Sequence, residues 1–121
     1  MKKILIVEDD KYLANAHRVK LTKSGFEVKI AFNGDEAIEV LKTYQPDLMV
    51  LDLMMPVKDG FSVLAERQKN PTWLSIPVII TSNLGQKEDI DRAMSLGAND
   101  YIVKSNIDLN DLLGKINAYL K

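Results

Sequence analysis

Apolar and polar positions along this chain follow two rhythms. Short runs without polar interruption stand at 4–7 (ILIV), 48–51 (LMVL) and 78–80 (VII). Runs of this length without alternation suit strands buried on both faces. Between them, apolar residues recur three and four apart, the period of a helix with one buried face. The spacing predicts strands at 3–7, 26–31, 48–52, 78–82 and 100–104. It predicts helices over 11–24, between Asn33 and Pro46, and over 60–69, 86–96 and 108–120.

Local signals set the ends of these elements. Asp10 caps the first helix, whose inner face carries Leu13, Ala16, His17 and Leu21, and Gly25 supplies its stop. Asn33 caps the second, with Ala37, Ile38 and Leu41 inward and Pro46 as its stop. The fourth faces Ile90, Ala93 and Met94 inward. The last is the most amphipathic, with Leu109, Leu112, Leu113, Ile116 and Leu120 at helical spacing.

Strands alternating with helices imply a parallel sheet with right-handed crossovers and helices on both faces. The second strand, FEVKIA, alternates apolar and polar, as an edge strand does, while the uninterrupted first, third and fourth belong inside. That favours the doubly wound order 2-1-3-4-5 over 3-2-1-4-5. In such a sheet ligands sit beyond the carboxyl ends of the strands, at the switch point between the first and third.

Composition narrows the chemistry. At 121 residues the chain is one domain, 1–121. Sixteen basic against 17 acidic residues leave a net charge of −1, which is no footprint for nucleic acid or an anionic membrane. With no cysteine there is neither a disulfide nor a thiolate metal site. No apolar run is long enough for a membrane span, and the run after MKK is too short for a signal peptide, so a cytoplasmic protein is expected.

The strand ends then read together. The first strand leads into Glu8 and Asp9, the third ends in Asp52, the fourth in Thr81 and Ser82, and the fifth in Lys104. A lone acid after a strand is usually a helix cap, as Asp10 is, and a lone lysine at a strand end is usually solvated. Acids converging from two buried strands are another matter: two such charges about 4 Å apart repel by roughly 4 kcal/mol at an effective dielectric near 20. A hard divalent cation is the natural counter-charge. Mg²⁺ takes one or two carboxylates plus a phosphate, which a lysine and a hydroxyl complete.

The segments ILIVEDD, PDLMVLDLMMPVKDG, PVIITS and LGANDYIVK, with the final amphipathic helix, resemble the receiver domain of two-component response regulators, of the single-domain chemotaxis-regulator kind, over the whole chain. The resemblance implies a flavodoxin-like (βα)5 fold. It implies that Asp52 accepts a phosphoryl group from a histidine kinase or a histidine phosphotransfer protein. Asp9 and Asp52 would bind Mg²⁺ directly, Glu8 through water, and the backbone carbonyl of Met54 would complete the protein ligands. Lys104 would pair with the phosphoryl oxygens. Ser82, five residues after Pro77, takes the switch hydroxyl's place rather than Thr81, and Tyr101 that of the switch aromatic. A face built from the fourth helix, fifth strand and fifth helix would carry the signal to a downstream protein. On this reading the chain is a switch rather than an enzyme, with no output domain.

Other residues read more plainly. His17 is structural, and Trp73 is a packing anchor. Met54 and Leu84 stand two residues after the acceptor and the hydroxyl, where an apolar side chain cannot orient a hydrolytic water. Two departures from the family pattern stand out. Ser105 replaces the proline that usually follows the lysine. A cis bond there would cost about 2.5–4 kcal/mol, so a trans bond and a reshaped loop are expected. Asn83 fills a position usually small. An aspartate-nucleophile phosphohydrolase would want a second acid at 54, and a phosphate-independent pseudo-receiver would lack an acid or the lysine.

Overall fold

The computed structural model describes residues 1–106 and 108–120. Its elements run β1 (Lys3–Val7), α1 (Lys11–Lys23), β2 (Glu27–Ala31), α2 (Gly34–Leu41), β3 (Leu48–Asp52) and α3 (Gly60–Lys69). They continue with β4 (Val78–Ser82), α4 (Lys87–Ser95), β5 (Asp100–Val103), a 3-10 turn (Lys104–Asn106) and α5 (Leu109–Tyr119). The five strands form one parallel sheet in the order β2-β1-β3-β4-β5. This is the strand order expected from the hydrophobic pattern and the flavodoxin-like fold that the resemblance implies.

Burial explains the order. Every residue of β3 and β4 is buried, whereas β2 shows Glu27 and Lys29 at the sheet edge. Alternate residues of the inner strands feed two cores. Leu5, Val7, Met49, Leu51 and Ile80 pack on the α2/α3 side, and Ile4, Ile6, Val50 and Ile79 pack under α1 and α5.

Caps fall where the sequence placed them. The Asp10 carboxylate accepts from the N–H groups of Tyr12 and Leu13, and the Asn33 amide oxygen accepts from that of Glu36. Gly25 follows α1 at φ +96, a conformation that favours glycine.

Three expectations are corrected. In α1 the buried stripe is Ala14, His17 and Leu21, while Ala16 faces solvent. Stepping back three residues from His17 reaches Ala14, and Ala16 lies well off that line. In α4 only Ala93 is buried; Met94 is 41% exposed, because a single small residue brings this helix against the sheet. Helix α2 ends at Leu41, well before Pro46. The Leu41 carbonyl accepts the indole N–H of Trp73 at 3.2 Å, taking an acceptor that another helical turn would use. Trp73 thereby anchors the α3–β4 connection against α2. No cis peptide bond occurs among the described residues, so the Lys104–Ser105 bond is trans, as expected.

Candidate functional site

The carboxyl ends of β1 and β3 lie side by side in the sheet, with Val7 in register with Leu51. The next residues therefore meet above the same edge. Glu8, Asp9 and Asp52 each offer an oxygen, and these atoms lie within 4.8 Å of one another. Glu8 and Asp52 are buried, and Asp9 is exposed. The first two reach into the pocket while the third faces its mouth.

Two close approaches of backbone shape the pocket. A Cβ at Gly60 would fall on the backbone oxygen of Asp52, and one at Gly34 on that of Lys58. Glycine at these positions lets α3 and α2 start against the β3–α3 loop. Met54 N–H donates to Asp52 Oδ1 at 3.2 Å, and Asp10 N–H donates to Glu8 Oε2 at 3.1 Å. Each buried carboxylate thus has one oxygen fixed by backbone.

Lys104 meets the other two oxygens. Its Nζ lies 2.6 Å from Glu8 Oε1 and 3.1 Å from Asp52 Oδ2. The first contact is short yet poorly aligned, so Glu8 Oε1 has no hydrogen-bond donor in good geometry. Burial pushes Glu8 up to about 7; Lys104 opposes the shift and the Asp52 charge adds to it. Burial also raises Asp52, against the pull of Lys104 and the Met54 N–H. Burial alone would lower Lys104, but the two carboxylates outweigh it and hold the ammonium above its usual range.

The donor set consists of carboxylate oxygens, one of them incompletely satisfied, and is open on the Asp9 side. This suits a hard divalent cation such as Mg²⁺, with room for water or phosphate oxygens. It offers nothing to a soft metal.

The fourth and fifth strands flank the pocket. Thr81 stands in register with Asp52, and Ser82 lies one residue further along. Both are buried. The Ser82 hydroxyl accepts from Leu84 N–H at 3.2 Å. Tyr101 is half-buried, its hydroxyl donating to the Leu84 carbonyl and meeting that of Ser82. Burial raises the Tyr101 hydroxyl, and the bond to Ser82 works against the shift. The β4–α4 loop is thus tied to β5 through one phenol.

Two features had no sequence signal. Arg67 is buried at the opposite end of the sheet, among backbone carbonyls. The Arg92 guanidinium stacks 4.0 Å from the centre of the Phe61 ring. Each depends on chain segments that the sequence alone does not bring together. His17, read as structural, is buried beneath α1, and among the described residues neither ring nitrogen has a hydrogen-bond partner. Among the described residues no helix is long and apolar enough to cross a membrane.

Comparison with known proteins agrees with this geometry. The profile of the response regulator receiver domain family matches residues 4–117. The DNA-binding dual master transcriptional regulator RpaA of Synechocystis is 33% identical over 121 residues, which is 100% of this chain and 50% of the relative. The transcriptional regulatory protein DltR of Streptococcus agalactiae is 36% identical over 114 residues, 94% of this chain and 50% of the relative. The chain thus spans about half the length of these curated relatives. Among solved structures, the receiver domain of Francisella response regulator 1452 superimposes with a TM-score of 0.90 at 32% identity, covering 98% of this chain and 96% of that one. The BeF3-activated N-terminal receiver domain of Klebsiella pneumoniae RstA gives 0.90 at 29% identity, covering 99% of both. With its sheet order, its acidic pocket and a profile match over nearly its whole length, the chain belongs to the response regulator receiver domain family.

Proposed function

We propose that Asp52 is the phosphoryl acceptor of a two-component relay, supplied by a phosphohistidine on a histidine kinase or a histidine phosphotransfer protein. The observation that carries this reading is the meeting of Glu8, Asp9 and Asp52 within 4.8 Å beside the Lys104 ammonium. Mg²⁺ held by Asp9, Asp52 and the Met54 carbonyl, with Glu8 through water, would neutralise charge on the transferring phosphoryl oxygens.

The chain's own groups do the rest. The Met54 N–H fixes one Asp52 oxygen and so aims the other. Lys104 moves from carboxylate to phosphoryl oxygen, and Ser82 donates its hydroxyl to the same group. Drawing Ser82 inward shifts the Leu84 loop, to which the Tyr101 hydroxyl is bonded. The α4-β5-α5 face then changes for a downstream protein partner. The chain assists its own phosphorylation and dephosphorylation, and the cytoplasm is where such a donor would meet it. Met54 and Leu84 offer a hydrolytic water little to bond with, so the phosphoprotein is long-lived.

Mass analysis after incubation with a phosphoryl donor and Mg²⁺ tests this. The parent gains one phosphoryl group, and Asp52→Asn gains none. Equal labelling of that variant would overturn the acceptor. Decay after donor removal that is no slower than in a Met54→Asn/Leu84→Glu variant would overturn the lifetime.

A further inference from the structure

Between α1 and the edge strand β2 runs an open groove of about 520 Å³, a volume within the range of small-molecule sites. Six residues line it: Lys11, Tyr12, Asn15 and Arg18 from α1, Ile30 from β2, and Phe32 just beyond that strand. Lys11, Asn15 and Arg18 recur at helical spacing, so they share one side of α1. No acid lines the groove, although the chain as a whole has a net charge of −1. None of the six residues belongs to the acidic pocket or to the α4-β5-α5 face.

The two cations of the groove are not neutralised. Lys58, Lys87 and Lys115 each pair with a carboxylate, whereas among the described residues Lys11 and Arg18 pair with none. Lys11 Nζ stands 5.5 Å from the centre of the Phe32 ring. Arg18 donates to the Asn15 amide oxygen, from Nε at 3.2 Å and from Nη2 at 2.5 Å. The amide orients the guanidinium without cancelling its charge. Tyr12 is 94% exposed, more than any other aromatic residue of the chain. An aromatic face, a bare phenol ring and two uncompensated cations are the parts that hold a flat ring bearing an anion.

The spacing sets the length of that ligand. From Lys11 to Arg18 the helix rises about 10 Å. As a crossover helix, α1 runs antiparallel to β2, so Lys11 and Phe32 mark one end of the groove, and Arg18 and Ile30 lie toward the other. In a simple aromatic acid such as benzoate the ring and the anion adjoin, and it cannot engage both ends. A nucleotide has a ribose between base and phosphate. We propose that this groove binds a purine nucleoside monophosphate. The base lies against Phe32 and Tyr12, with its ring nitrogens accepting from Lys11. The ribose crosses Ile30, and the phosphate accepts from Arg18. Two cations suit a single nucleotide and not a nucleic-acid strand, which is held through many phosphate contacts. Nothing in this inference depends on Asp52 as acceptor.

The test is a titration of the backbone amides by NMR with adenosine monophosphate, at low salt and without Mg²⁺, so that phosphate has no metal to follow into the acidic pocket. Adenosine and ribose phosphate are titrated alongside. The nucleotide is expected to shift the amides of Asn15, Ile30 and Phe32 and to bind about tenfold more tightly than either half. Arg18→Gln brings the nucleotide down to the affinity of adenosine and removes its salt dependence. Tyr12→Ala weakens nucleotide and adenosine alike, by about fivefold. Both side chains are exposed, so both variants keep the parent's fold. Shifts centred on Ser82 and Lys104 instead, or ribose phosphate binding as tightly as the nucleotide, overturn the proposal. So does an Arg18→Gln protein that binds the nucleotide like the parent, and so does the absence of any shift at millimolar nucleotide.

Discussion

Lys104 and Arg67 are both long cations withdrawn from water, at opposite ends of the same sheet, and the chain holds them in opposite ways. Arg67 sits among carbonyls. Its Nε donates to Ile76 O at 3.0 Å, its Nη2 to Ile76 O at 2.7 Å and Leu74 O at 3.1 Å, and its Nη1 to Gly97 O at 3.3 Å. The planar fork is matched to fixed dipoles from the α3–β4 loop and the turn after α4. Lys104 sits between two carboxylates, and one of their oxygens, Glu8 Oε1, receives no well-aligned hydrogen bond. Burial lowers Arg67, whereas the carboxylates raise Lys104. One arrangement uses up its hydrogen bonds and locks three segments together. The other leaves bonding capacity unused, as the proposed exchange of a carboxylate for a phosphoryl oxygen requires.

His17 is the third case, a buried basic group offered neither carbonyl nor carboxylate. Burial first, and the Lys104 charge second, push it down to about 4. A group without compensation gives up its proton.

The comparison is most sharply broken at Arg67. Arg67→Met strands the carbonyls of Leu74, Ile76 and Gly97, and a loss of about 3–5 kcal/mol is expected by chemical denaturation. Arg67→Lys does not rescue it, because a point charge cannot reach all of these acceptors. The loss is the same with and without Mg²⁺. A loss below about 1 kcal/mol would mean that the cage is not structural.

His17 comes next in size. Its pKa in the unfolded chain is near 6.5 and in the folded chain about 4. Between these values the unfolded state binds more protons, so stability falls as pH drops from 6.5 and stops falling near 4. The full effect is about 3 kcal/mol. Glu8, raised from 4.5 to about 7, acts in reverse and adds stability as pH falls through that window. His17→Leu removes the first effect and exposes the second. The variant is expected to be more stable than the parent at neutral pH, with an advantage that widens on acidification. Parallel pH profiles for the two proteins would contradict the neutral, unpartnered histidine.

Lys104→Met is expected to cost less, about 1–2 kcal/mol without Mg²⁺, because Glu8 titrates near neutrality and can take up a proton in place of the lost ammonium. Here Mg²⁺ matters. The variant's melting temperature should climb more steeply with Mg²⁺ than the parent's, since the cation replaces the missing charge. If the variant's melting temperature does not respond to Mg²⁺, Lys104 and the metal do not compete for the same carboxylates.

These contrasts also separate what was legible in the sequence from what was not. The strand order follows from three uninterrupted runs and one alternating run, a pattern local to each strand. Glu8, Asp9, Asp52 and Lys104 come together because each ends or follows a strand, so topology alone assembles them. Arg67 carries no such mark. Its acceptors are backbone atoms, which no residue type announces. The inward face of α4 was misread at Met94 because an exposed methionine and a buried one look alike in a period of 3.6. The end of α2 was misread because its stop is the Trp73 indole, 32 residues away, rather than the nearby Pro46.

The smallest expected effect lies in the β3–α3 loop, between the two kinds of cation site. Val57 has φ +70, which β-branched residues rarely adopt. It is the centre of a γ-turn, closed by Lys58 N–H donating to Pro56 O at 2.8 Å. The surroundings hold it there. Lys58 O accepts from Gly34 N–H at 3.1 Å, and Lys58 Nζ pairs with Glu66 at 2.7 Å. The Val57 side chain is 78% exposed, so it contributes little packing in return for the strain. Val57→Gly relieves about 1–3 kcal/mol of backbone strain. It also frees the unfolded chain by about 0.5–1 kcal/mol. A net gain of about 1 kcal/mol is expected from denaturant titration, with the Mg²⁺ dependence of stability unchanged, since no carboxylate moves. A less stable Val57→Gly protein would show that the valine side chain does packing that its exposure conceals. An altered Mg²⁺ dependence would show that strain in this turn reaches the acidic pocket through the short chain from Asp52 to Val57.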